Sequence, residues 1–377
     1  MEREAYTAAS TIAPKLEAYF RHRAHSGHRR PLQAALPDAA AIEALINAAF
    51  WASLRREEGY MPRISLAFLA PEESANPLIL ERPLPLASPA LTKIAPAVER
   101  PGIHLGVWPN HNGLSVWGAT RSIPPFCFVL EVAAPGLLVV KHHSGDEAGK
   151  FVNVAVLEGD QIKIVDDRVS TGPDCPALLT SLLGGETLTA SGRSVQVLVQ
   201  LAVSMRQHGR GGLLLIVPIE NDSWRESIVQ PIPYGVAPTF SALAKLALKA
   251  AGGSDLQPWQ DALAHAVEAV AGLTAVDGAL LLNERFEVLG FGAKIARRKG
   301  RTQIEHVRVS EPVEGGSSSL IHAEELGGTR HLSAAQFVHD QRDAIALVAS
   351  QDGRFTIFEW SACESVVHAH RIEVLLL

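Results

Sequence analysis

Near the start of the chain, apolar residues recur at helical spacing. Ile42, Leu45, Ile46, Ala49, Phe50 and Leu54 fall on one face of a helix over residues 39–54. Before it, residues 1–35 read as a polar helix followed by a loose basic segment. After it, residues 71–101 are broken by proline, which predicts extended chain and turns in place of long helices. Short β-type runs follow at 103–108, 113–118, 126–132, 136–141, 151–157 and 161–165, with turn residues between them. That spacing predicts a meander of strands, so the first half is mainly β.

Composition changes near residues 183–193 (LGGETLTASGR). A boundary there gives a β-rich domain with an N-terminal helical segment over 1–190, and a second domain over 191–377. In the second, Leu198, Leu201, Ala202 and Met205 share a helical face within 195–207, and 213–218 (LLLIVP) is a buried strand. Leu243, Leu246, Ala247 and Ala250 predict a helix over 239–251, stopped by Gly252 and Gly253. Pro258 suits the first turn of another helix, which carries Leu263, Val267 and Val270 on one side. Runs at 279–282, 288–292, 344–349, 355–360 and 372–377 read as strands. Helices and strands alternate, so this half is α/β or α+β, a mixed β-sheet flanked by helices. No internal repeat is visible.

Bulk properties narrow the function. The 377 residues leave room for two cores, and 47% hydrophobic with 20% charged residues describes a soluble globular protein. A formal charge of -6 removes the basic footprint that duplex nucleic acid requires. Basic residues concentrate at 21–30 (RHRAHSGHRR) and 294–301 (KIARRKGR); either could touch phosphate, but each reads first as a solvated surface segment. The three cysteines are odd in number and lack metal-ligand spacing. Cys127 and Cys363 have apolar or small neighbours, which predicts buried thiols, and with Cys175 they fit a reduced, cytoplasmic compartment. No apolar run has the length of a membrane span, and the first residues do not form a signal peptide, so no membrane partner is expected.

Several smaller features carry less. His22, His25 and His28 recur every third residue without cysteine or carboxylate partners, which reads as exposed histidine, not zinc. His142 with His143 and His368 with His370 add no ligand pattern. Gly209–Gly212 (GRGG) lacks the lysine of a phosphate loop and precedes a strand, not a helix. Trp51, Trp108 and Trp117 read as core, with Trp108 and Trp117 bracketing a turn. No G-x-S-x-G elbow is present.

Three segments of the second half carry candidate chemistry. Asp277-Gly278-Ala279 puts a carboxylate and a glycine at the mouth of a hydrophobic strand, where a cation or a closely approaching ligand can be held; Asp-Gly is also a common turn. Ser333 followed by Gln336 is a capping-box spacing, which starts a helix at Ser333 and leaves Gly328, Thr329, Arg330 and His331 just ahead of it. A helix N-terminus beside an arginine suits phosphate, and serves equally as a capped loop with a surface ion pair. Ser350-Gln351-Asp352-Gly353 lies between two strands and reads as a hairpin turn.

In this order, the three segments resemble the diadenylate cyclase domain found in the DNA-integrity scanning protein. That family carries a DGA motif, then GTRHRAA, then an SEE-type segment; here they stand as DGA (277–279), GTRHLSA (328–334) and SQDG (350–353). The strand at 211–217 (GGLLLIV) extends the likeness upstream, so it covers residues 194–377. The wording GTRHLSAAQF and SQDGRF, with a β-rich first half, is closer still to the DACNV group, described as probable sensor domains related to diadenylate cyclases.

The resemblance implies a nucleotide held by Asp277, Gly278 and Ala279 from the first motif. Gly328, Thr329, Arg330, His331 and Ser333 follow from the second, and Ser350 and Asp352 from the third. It implies Mg2+ or Mn2+ at Asp277 and His331, and makes Asp277 the catalytic group if the domain is active. Active domains work face to face, which implies a homodimer for synthesis. The sequence departs at two places: Leu332 stands where the active motif has a second arginine, and Gln351 and Asp352 replace a glutamate pair. Two such losses weaken catalysis more than binding. The expected function is therefore a sensor of a nucleotide or cyclic dinucleotide, whose first half passes the signal to an effector partner. The alternative is a divergent diadenylate cyclase that condenses ATP.

Overall fold

The computed structural model describes residues 5–26, 35–111, 113–143, 151–166, 190–248 and 256–377, together with 179 and 182. Among these it holds seven α-helices and two mixed sheets of eight and nine strands. The chain divides into two compact units, Met1–Val165 joined by Leu377, and Asp166–Leu376. Among the described residues no helix is long and apolar enough to cross a membrane. The candidate boundary at 183–189, Cys175, and the basic residues His28, Arg29 and Arg30 lie outside the described residues.

The first unit is mostly β. Its central strand is β1 (Ser65–Phe68), which pairs parallel with β3 (His104–Asn110) and antiparallel with β5 (Phe128–Ala134). A hairpin carries β3 into β4 (Gly113–Thr120), and the edge strand β2 (Leu78–Pro85) lies beyond β4. On the other side β5 runs by antiparallel steps through β6 (Leu137–His143), β7 (Phe151–Glu158) and β8 (Gln161–Ile164). The predicted meander is thus present in its second part, while β1 and β2 add two strands that alternation did not reveal.

Three helices cover one face of this sheet: α1 (Thr7–Ser26), α2 (Ala39–Ser53) and α3 (Ser88–Val98). Leu66 and Phe68 enter the core beneath them, and Ala67 and Leu69 point to the opposite face with Trp117, Cys127 and Val129, as strand alternation requires. The helix α1 is amphipathic, not simply polar, burying Ala9, Ile12, Ala13, Leu16 and Phe20. The proline-rich passage is also corrected. Pro89 occupies the first turn of α3, where a missing N–H costs nothing, and Leu91, Ala95 and Val98 bury one face strongly enough to carry Pro96 inside the helix. Cys127 is buried, whereas Cys363 is exposed against expectation, in the turn between two strands of the second unit.

Asp38 caps α2, its Oδ1 accepting from the Ala41 amide at 2.8 Å. Asp38→Ala is expected to cost about 1 kcal/mol of first-unit stability, read from the urea midpoint, and Asp38→Ser to cost much less.

The second unit is built around β9 (Gly212–Val217), every residue of which is buried. It pairs parallel with β11 (Ala279–Asn283) and antiparallel with β15 (Ile345–Ala349). Outward from β11 come β12 (Val288–Ala293) and the edge strand β10 (Tyr234–Phe240). Outward from β15 come β16 (Phe355–Ser361), β17 (Val366–Arg371), β13 (His306–Ser310) and the edge strand β14 (Ser319–His322). A strand buried on both faces needs helices on both. The helices α4 (Ala190–Gln207), α5 (Ala242–Leu248) and α6 (Leu256–Gly272) pack on one another, and α7 (Thr329–Asp340) packs on β15, β16 and β17 over Leu213, Leu215 and Val217.

Two expected elements shift. The helix predicted from residue 239 starts at Ala242, because Thr239 and Phe240 finish the edge strand β10. The run at 372–377 is not a strand: Glu373–Leu375 form a 3-10 turn that buries Ile372, Val374, Leu375 and Leu376, and the last strand ends at Arg371.

Candidate functional site

Strand direction brings the three motifs to one end of the nine-stranded sheet. Because β9 and β11 are parallel, Gly211 and Asp277-Gly278 lead into them at the same end. β15 runs the other way, with Ala349 opposite Gly212, so the turn at Ser350–Asp352 emerges beside Gly211. β12 is likewise reversed, with Ala293 opposite Ala279, so Lys294 emerges beside Asp277. The first turn of α7 closes the group. The Arg330 guanidinium lies against Gly211, where a Cβ would meet Nη1 at 2.9 Å and the Gln351 side chain at 3.3 Å.

Asp277 is exposed, and Lys294 Nζ donates to its Oδ2 at 2.5 Å. That hydrogen bond and the ammonium charge hold the carboxyl below the ordinary carboxylate range, and the Arg330 guanidinium is near enough to lower it further. Gly278 has φ 112, a conformation side chains avoid, and a Cβ there would lie 2.4 Å from the Gly292 carbonyl carbon. Ala279 is fully buried at the start of β11. The motif is therefore a tight crossing of two backbones that leaves one carboxylate facing outward.

The second motif sits differently from its expected place. Gly328 is the N-cap of α7, with no side-chain cap, and Thr329, Arg330 and His331 form the first turn. Ser333 lies inside the helix, so the capping box is not made. Gln336 instead is buried, its Oε1 accepting from the Ile304 amide at 2.9 Å and its Nε2 donating to Asp340 Oδ1 at 3.0 Å. Thr329 is exposed and Arg330 half-buried, at a helix end whose N-cap makes no side-chain hydrogen bond. His331 turns inward. It is buried, its Nε2 lies 3.4 Å from Thr356 Oγ1, and its ring meets Phe358 edge-on at 6.1 Å. Burial, then the nearby Arg371 charge, lowers its pKa, which favours the neutral imidazole.

In the third motif Ser350 donates a side-chain hydrogen bond to Asp352, the largest cause of that carboxyl's lowered pKa. Asp352 also pairs with Arg354 at 3.4 Å, within a turn closed by the Ser350 amide on the Arg354 carbonyl at 2.9 Å. Gln351 donates to the Arg210 carbonyl at 3.4 Å. Asp277, Gly278, Thr329, Arg330, Ser350 and Asp352 thus share one end of the sheet, while His331 and Ser333 face away from solvent or along the helix.

The geometry does not set Asp277 and His331 around one Mg2+ or Mn2+: Asp277 is exposed and paired with Lys294, and His331 is buried against Thr356. A cation at this end would have one protein carboxylate and would take its other oxygens from ligand and water. Among the described residues, no three His, Cys, Asp or Glu side chains are grouped to hold a metal ion.

Sequence reasoning missed three members of this surface. Gly211 and Lys294 sit in the GRGG and KIARRKGR segments, and only strand register shows that they flank Arg330 and Asp277. Tyr234 stacks on Phe291 with centroids 4.8 Å apart, beside Gly292, where a Cβ would meet the tyrosine ring at 2.8 Å. An aromatic flanked by glycines in a strand, GFG at 290–292, is the signal that was available.

A family model described as "Probable sensor domain DACNV" matches residues 32–121. The match lies within the first unit, across α2, α3 and strands β1 to β4, and does not reach Asp277, Arg330 or Ser350. It is consistent with a sensor reading of that unit. No curated protein matches the chain.

Proposed function

We propose that the chain is a sensor whose second unit binds a nucleotide or cyclic dinucleotide with a degenerate diadenylate-cyclase-like site. One observation carries the reading: Arg330, at the uncapped first turn of α7, lies against Gly211 with its charge in reach of Asp277. A guanidinium and free helix amides at one point make a phosphate grip. The exposed ring of Tyr234, stacked on the half-buried Phe291, offers a flat face for a base at the same end of the sheet.

The same geometry speaks for binding over synthesis. Synthesis needs charge placed on the transferring phosphoryl group and an activated hydroxyl. Here Leu332 replaces an arginine, Gln351 is neutral and turned to the Arg210 carbonyl, and Asp277 is occupied by Lys294. A homodimer and an effector partner belong to this proposal as the means by which ligand occupancy is passed on, the match of the first unit to a sensor-domain model supporting that division of labour.

The test is a thermal-shift and calorimetry panel of ATP, AMP, cyclic di-AMP and cyclic di-GMP on the full chain. A bound member should raise the melting temperature with concentration. Arg330→Ala is expected to weaken it by about 10–100-fold, the worth of one charge-assisted phosphate contact. Accumulation of a dinucleotide from ATP would replace the sensor by the cyclase, and a panel without any binder would end the reading.

A further inference from the structure

Lys294 opens the basic run 294–301, which the proposed function leaves unused. It follows the last residue of β12 directly, and the pairing of Ala293 with Ala279 fixes its backbone opposite the DGA turn. Its ammonium sits 2.5 Å from Asp277 Oδ2, and the side chains of both partners are largely open to solvent, 52% and 89% exposed. An ammonium has three donors, and this contact uses one. The remaining donors are free to face the same opening as Arg330, whose charge also reaches Asp277.

A divalent cation at a nucleotide site neutralises a carboxylate and presents positive charge to phosphate oxygens. A lysine seated on that carboxylate does both without a coordination sphere. The rest of the surface agrees. His331 is buried against Thr356 and Phe358, and Asp352 is engaged with Ser350 and Arg354, so neither completes a metal shell with Asp277. A dication on Asp277 would also stand beside the ammonium and be repelled by it.

We propose that Lys294 takes the place of the divalent cation, so that the second unit holds its anionic ligand without metal. This rests on the proposed function, since it specifies how that site grips phosphate.

Isothermal titration of the full chain with ATP and with cyclic di-AMP, once in EDTA and once in millimolar Mg2+, tests it. The wild-type affinity for the bound ligand is expected to agree within about threefold between the two buffers. Lys294→Gln is expected to lose about tenfold in EDTA and to recover in Mg2+, because the freed Asp277 then accepts the cation. Lys294→Arg should keep binding in EDTA, showing that charge at this position, not loss of fold, governs the result. Wild-type binding that needs Mg2+ overturns the inference while leaving the nucleotide reading intact. So does a Lys294→Gln loss that Mg2+ does not repair, or no loss at all. Absence of binding in both buffers overturns the nucleotide reading itself.

Discussion

Gly278→Ala is expected to destabilise the second unit by about 3 kcal/mol and to remove ligand binding with it. Two costs add. The backbone stands at φ 112, and a Cβ would lie 2.4 Å from the Gly292 carbonyl carbon and 2.6 Å from its oxygen. Those are backbone atoms, so no side-chain rotation relieves the clash. To make room, β12 must move away from β11, carrying Lys294 off Asp277. Gly300→Ala is the control: φ there is 83 with nothing within 4 Å of a Cβ, so it bears only the conformational cost, about 1 kcal/mol. Urea unfolding of both variants separates clash from strain. Equal losses at positions 278 and 300 would show that the close crossing of β11 and β12 has no energetic weight.

The sequence carried the parts of this fold that repeat a period. Strands β3 to β9 and β11, β12, β15 and β16 alternate or run apolar between turn residues, and their positions follow from that pattern. Among the strands that escaped, β13 (HVRVS) does alternate but is short, whereas β1 and β10 lack the signal. β1 is four residues, SLAF, hydrophobic on both faces because it lies mid-sheet. β10 contains Pro238, which an edge strand tolerates and which hides it from a propensity argument. The site was legible as three motifs but not as an arrangement. Placing the helix start at Ser333 left His331 in a loop, free to meet a ligand. With the cap at Gly328, helical spacing groups His331 with Ala334, Ala335 and Val338 on the face that packs on the sheet, and the imidazole is buried. Lys294 shows the opposite limit. It is 17 residues from Asp277 in sequence, and only antiparallel register makes them partners.

The first unit should lose stability in mild acid, because it buries two histidines in the neutral form. His104 has its Nδ1 2.7 Å from Ser65 Oγ, and burial lowers its pKa to about 4, Lys141 and His143 adding to the shift and Glu131 opposing it. His142 sits among the rings of Tyr19, Phe20 and Phe126, its Nε2 without a hydrogen-bond partner among the described residues. Burial takes its pKa to about 4 as well, with the Arg23 and His143 charges lowering it further and a backbone contact at His143 opposing. An unfolded histidine titrates near about 6.5, so between that pH and about 4 the unfolded chain binds protons that the folded unit refuses. Stability is therefore complete above the upper value and falls as the pH is lowered, by about 3 kcal/mol for each histidine by the lower value, below which these two groups contribute no further change. Urea midpoints measured across this window should show the decline. His142→Phe, which keeps a ring in the aromatic surroundings and removes the titration, should leave roughly half of the histidine-linked slope. A variant that retains the full slope would mean that His142 is protonated within the folded unit, and that its burial imposes no electrostatic cost.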